Sequence, residues 1–160
     1  MALWQFDLHF LPRISVLRRY NAVPIRISRA EFDGFDWWHD APNTAKLGSR
    51  IDVILPKAES WSPSIKKWGD EDGNRVDIVF KENSVEAVFV RIDVRDISVQ
   101  FLSDICSIAA EWDCLFLLGN DLLMSASVSS LLAAMRQSKS FHFVTDPEGF
   151  LSLLARTGPG

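Results

Sequence analysis

Cysteine, histidine and tyrosine are scarce in this chain: two, three and one in 160 residues. Cys106 and Cys114 make neither a disulfide framework nor a metal-ligand pattern. The eight glycines are dispersed, and no G-x-x-x-x-G-K-[ST] run occurs, which excludes a phosphate-cradling loop of that kind. No G-x-S-x-G elbow frames a serine nucleophile beside His9, His39 or His142. Apolar runs fall short of the roughly 20 residues that cross a bilayer as a helix. Basic residues are not in excess either. Lys and Arg number 17 against 21 Asp and Glu, a net charge of -4, so the chain as a whole repels a phosphate backbone or an anionic membrane. Nucleic acid, membrane and cofactor are therefore not expected as partners.

Hydrophobic residues at 48% and charged residues at 24% are globular values, and 160 residues are enough to bury a core. The opening run MALWQFDLHFLPR alternates polar and apolar residues, which reads as a strand and not as a leader. Together with the unpaired cysteines it points to a reducing, cytoplasmic setting.

Periodicity then divides the chain. Trp4, Phe6, Leu8 and Phe10 share one face of a strand over Leu3 to Leu11, and Gln5, Asp7 and His9 share the other. Ile14 to Asn21 reads as a short helix with Val16, Leu17 and Tyr20 inward. Residues 25–63 form an irregular insertion, with a possible helix in Asn43 to Leu55. In SWSPSIKKWG, Ser62 suits an N-cap, Pro63 the first helical position and Gly69 the stop, so one or two helical turns are expected there. The β-branched runs Arg75 to Phe80 and Val85 to Arg95 form a hairpin through KENS. After it come an amphipathic helix on Phe101, Ile105, Ile108 and Trp112, and a strand CLFLLG apolar on both sides. A helix capped by Ser127, a last strand FHFV, a final helix from Asp146 and a frayed TGPG tail complete the chain. The expectation is a single α+β domain over 1–160. Its mixed or antiparallel sheet follows a ferredoxin-like βαββαβ order, with helices mainly on one face and a helical C-terminal extension.

Two residue groups carry possible chemistry. The stretch EFDGFDWWHD, Glu31 to Asp40, holds four acids, four aromatics and a histidine with no Lys or Arg. Neighbouring Trp37 and Trp38 point opposite ways from a strand and diverge by about 100° on a helix, so at least one is expected at the surface. Asp33, Asp36, Trp37, Trp38, His39 and Asp40 are the expected partner-binding set, because exposed indoles anchor interfaces and carboxylates steer a basic protein. Their spacing matches no metal motif, and GDEDGN, Gly69 to Asn74, departs from the calcium-loop pattern. The second group lies on the polar side of the sheet: Asp7 and His9 from the first strand, with Arg91, Asp93 and Arg95 from the hairpin. It suits an anionic ligand, and it equally suits a solvated face of cross-strand ion pairs.

Small size, acidity, α+β architecture and an acidic-aromatic surface together resemble the profile of bacterial immunity proteins. That resemblance implies a non-enzymatic module neutralising a basic toxin, often a nuclease, and carries no residue assignments. A ligand-binding or enzymatic domain using the polar face, and a homo-oligomer packed through exposed aromatics, stand beside it as alternatives.

Overall fold

The computed structural model describes residues 2–157. The chain begins with β1 (Gln5–Pro12) and α1 (Arg13–Tyr20). The expected insertion holds α2 (Arg29–Asp33), a 3-10 turn (Thr44–Lys46), α3 (Leu47–Asp52) and β2 (Lys57–Ala58). Then follow β3 (Ile65–Gly69), β4 (Arg75–Lys81) and β5 (Ser84–Asp93). Next come α4 (Val99–Glu111), β6 (Cys114–Leu118), β7 (Leu123–Ser125) and α5 (Val128–Arg136). The chain ends in α6 (Lys139–Thr145) and α7 (Pro147–Thr157). Of the tail expected to fray, only the Thr157 backbone is described, as the last residue of α7; 158–160 lie outside the described residues.

The strands form one antiparallel sheet in the order β2-β3-β4-β5-β1-β6-β7. This is an α+β architecture with more strands than a simple βαββαβ unit, because β2, β3 and β7 arise where the sequence reads as irregular or helical. Strand β1 sits between β5 and β6: Leu8 lies opposite Val90 on one side and Leu118 on the other. Leu8, Val90, Ile78 and Trp68 share a face through this register and are fully buried, in one core with Leu47 and Ile51 of α3, Leu102 and Ile105 of α4 and Leu131 of α5.

Three local expectations change. IKKWG, expected as the end of a helix, is strand β3, because Trp68 pairs with Val76 and is sealed in the core, where its indole N–H donates to Asp52 Oδ1 at 2.8 Å. Pro63 and the serines make turns before it, and Gly69 takes φ +93°. A Cβ there would lie 2.1 Å from the Asn74 carbonyl oxygen, so this glycine serves a close backbone approach and not a helix stop. FHFV is helix α6, not a strand, since the Ser138 hydroxyl caps Phe141 N–H at 3.2 Å and starts a helical turn that α7 continues to pack against. Leu17 is exposed, and Ser15 with Val16 faces inward in its place, the Ser15 hydroxyl donating to the Trp37 carbonyl at 2.5 Å.

The β4–β5 turn at Glu82 and Asn83 has positive φ at both positions, 52° and 65°, the mirror-image turn that suits strand twist. Both cysteines are free and buried, and burial pushes their thiols up, to about 11 for Cys106 and about 12 for Cys114. No described helix is long and apolar enough to cross a membrane. Truncating the side chain at the centre of the sheet tests this arrangement: Leu8→Ala is expected to lower unfolding free energy by about 2–5 kcal/mol in chemical denaturation, whereas Leu17→Ala should change it by less than about 0.5 kcal/mol.

Candidate functional site

The acidic-aromatic stretch starts on α2, which a capping box fixes. The Ser28 hydroxyl accepts from Glu31 N–H at 3.2 Å, and the Glu31 carboxylate accepts from Ser28 N–H at 3.3 Å. The Tyr20 hydroxyl also donates to Glu31, at 2.7 Å, and this bond, followed by those from Ser28, holds the Glu31 carboxyl below its usual range. After Gly34 the chain leaves the helix and folds back on itself. The Trp37 indole N–H donates to the Phe32 carbonyl at 2.9 Å, and the Phe35 ring meets the Trp37 ring edge-on at 4.7 Å.

Trp37 and Trp38 are both buried, at 2% and 4% exposure, which corrects the expectation that one faces outward. They lie in a turn, where neighbouring side chains are free of the fixed divergence that strands and helices impose. The exposed tryptophan is Trp61, 81% exposed, in the β2–β3 connection.

The carboxylates of the stretch divide into committed and free. Asp33 pairs with Arg29 at 3.0 Å, and Asp40 pairs with Arg18. Among the described residues Asp36 has only His39, at 3.8 Å and with both side chains well exposed. Beside them a groove of about 670 Å³ runs between this segment and the tip of the β4–β5 hairpin. One wall holds Asp33, Asp36, Trp38 and His39, and the other Lys81, Glu82, Ser84 and Glu86. Among the described residues Glu82 and Glu86 form no ion pair, so the groove carries uncompensated negative charge from two segments far apart in sequence. Trp37 and Asp40 of the expected set do not line it. The hairpin glutamates went unnoticed in the sequence, where KENSVE shows only a polar turn; nothing local places it opposite residue 36.

The polar sheet face is built by register. Asp7 lies opposite Arg91, which lies opposite Arg75 on the next strand. Like charges directly across a sheet repel, and each arginine is held by an acid: Arg91 by Asp7 at 3.0 Å and Arg75 by Asp77 at 2.9 Å. Asp93 chelates Arg95, closest at 2.8 Å, and the Arg95 guanidinium lies 4.3 Å from the Trp4 ring centre. Burial raises the Asp7 carboxyl, outweighing the lowering by Arg91. Arg75 Nε and Asp77 Oδ1 are sealed from solvent without partners, on a pair whose other atoms bond each other.

His9 does not join these acids. It lies opposite Phe89, four register positions from the Gln5–Asp93 pair and two from Asp7–Arg91, with its ring 4.6 Å from Phe32 and 5.0 Å from Phe89. The face thus brings Asp7, Arg91, Asp93 and Arg95 together as two separate ion pairs and packs His9 apart from them. No group of three or more His, Cys, Asp or Glu among the described residues is placed to hold a metal ion. GDEDGN is a self-bonded turn, with Asp70 N–H on the Asn74 carbonyl and Gly73 N–H on the Asp70 carbonyl.

No family model, curated protein or solved structure matches this chain.

Burial, and then the nearby Arg29, lower the His9 imidazole from 6.5 to about 4. The native state therefore keeps His9 neutral where the unfolded chain takes up a proton. This contribution is fully present above pH 6.5 and is lost as pH falls toward 4, amounting to at most about 3 kcal/mol. Asp7, whose carboxyl is raised, contributes the opposite slope from 3.8 upward, so the comparison must isolate the imidazole. Denaturation curves between pH 4 and 7 are expected to show a shallower loss of stability for His9→Leu than for the parent chain.

Proposed function

We propose that this chain is a non-enzymatic protein-binding module that docks a basic partner at the groove between residues 33–41 and the β4–β5 tip. The observation that carries this reading is the surplus of carboxylates there. Asp36, Glu82 and Glu86 face one groove, opposed only by Lys81 and by His39 when protonated. Such a field raises the encounter rate with a cationic protein and disfavours an anionic one. Buried Trp37 and Trp38 support it from beneath by fixing the segment that presents Asp36, a preorganised surface that loses little freedom on docking.

The polar sheet face supports an anion-binding reading less well, because Arg91, Arg75 and Arg95 are each already bonded to an aspartate. A cytoplasmic immunity-type protein neutralising a basic toxin fits the docking reading, on the shared profile of small size, acidity and α+β architecture.

The test is affinity capture from the source cells with three versions of the chain: the parent, the triple variant Asp36→Asn/Glu82→Gln/Glu86→Gln, and Arg91→Gln. The expected result is a basic protein held by the parent and by Arg91→Gln, bound about 10-fold more weakly by the triple variant, with a reduced dependence on salt. Equal retention by the parent and the triple variant removes the groove from the interface, and loss with Arg91→Gln alone moves it to the sheet face.

A further inference from the structure

Trp38 adds a second kind of recognition to the acids around it. It is 4% exposed and lines the groove. The other packed tryptophans give their indole N–H to protein oxygens: Trp4 to the Asp72 carbonyl, Trp37 to that of Phe32, Trp68 to Asp52 and Trp112 to the Asn43 carbonyl. Among the described residues Trp38 Nε1 has no acceptor. It is also not one of the sealed atoms without partners, which are Arg75 Nε and Asp77 Oδ1. Trp38 Nε1 therefore keeps contact with solvent although the residue is almost wholly buried, and Trp38 is part of the groove lining.

A lone N–H donor among carboxylates discriminates between classes of cation. A metal ion or a simple polyamine gains nothing from it, since the dipole presents its positive end. A ligand that satisfies both features carries a cation and a hydrogen-bond acceptor a few ångströms apart. A peptide with a lysine or arginine does so, through its main-chain carbonyl and its side chain. The groove volume, about 670 Å³, lies within the roughly 300–1,000 Å³ of sites that enclose small ligands, room for a few residues of extended chain.

We infer that the groove takes an extended, lysine- or arginine-bearing segment of a partner protein, one main-chain carbonyl accepting from Trp38 Nε1–H while the cation meets Asp36, Glu82 and Glu86. This rests on the docking reading above and specifies what enters the groove. The carbonyl bond is shielded from water by the groove floor, so it contributes to residence time, whereas the exposed carboxylates act on association.

The experiment titrates the ¹⁵N-labelled full chain with poly-L-lysine and, at matched charge, with polyallylamine, a polycation that has no carbonyl. Poly-L-lysine is expected to move the Trp38 indole N–H resonance downfield, and polyallylamine is not. Trp38→Phe keeps the ring floor and removes the donor. It should weaken poly-L-lysine about 3- to 10-fold and leave polyallylamine unchanged. If both polymers bind alike and the indole resonance stays in place, the carbonyl inference falls and the docking reading survives. Absence of binding, or binding indifferent to Asp36→Asn/Glu82→Gln/Glu86→Gln, overturns both. Where Trp38→Phe fails to fold, the indole resonance of the parent chain decides alone.

Discussion

Strand β1 is the piece on which the rest of the molecule is assembled, because it is hydrogen-bonded along both edges. Its residues pair with partners in β5 and β6 eighty or more positions further along the chain, and β1 separates those two strands in the sheet. A strand with both edges filled cannot slip by one residue without turning Leu8 and Phe10 to the wrong face on two interfaces at once. That double constraint fixes which side of β4 and β5 faces the helices and which side carries the arginines. It also makes closure of two long loops a condition of forming the core, a topology whose long-range contacts form slowly.

The insertion depends on the same scaffold. Ile27 N–H bonds the Asp121 carbonyl, Arg26 bridges Leu122 beside β7, and α3 lies where Asp52 reaches the Trp68 indole. Between these anchors the chain passes the hairpin end of the sheet with Trp37 and Trp38 packed under it. Two adjacent indoles bury on the order of 200 Å² each, enough to hold a segment with little regular structure. The carboxylates are left outside as a consequence: Asp33 and Asp40 are neutralised by arginines on α2 and α1, and Asp36 is not.

The polar face shows why residue inventory is a poor guide to a site. Two arginines beside each other on adjacent strands look like an anion cradle. Arg91 instead has Asp7 opposite it across the strands, and Arg75 has Asp77 two residues along its own strand, and opposite charges in contact leave little potential for a ligand. His9, whose imidazole burial lowers, is held by aromatic packing against Phe32 and Phe89.

Local pattern was legible wherever one interaction range decided the outcome. Alternation in WQFDLHF and RVDIVF, helical spacing from Phe101 to Ile108, and caps at Ser127 and Asp146 appear as the sequence implies, because each is settled within one strand or a few turns. Trp68 and the FHFV segment did not follow local preference. A helix start at Ser62 competes with a sheet edge needing a partner for Val76, and the edge wins by burying an indole; in FHFV, the cap at Ser138 outweighs β propensity. The candidate site was half visible. EFDGFDWWHD announces acids and aromatics, but which indoles are buried and which acids already have arginines depends on side chains elsewhere in the chain, such as Arg18, 22 positions before Asp40. Composition and periodicity thus determined the class of fold and the negative charge. Only the tertiary structure decided where that charge is left unpaired, because pairing is a matter of distance in space and the sequence records only distance along the chain.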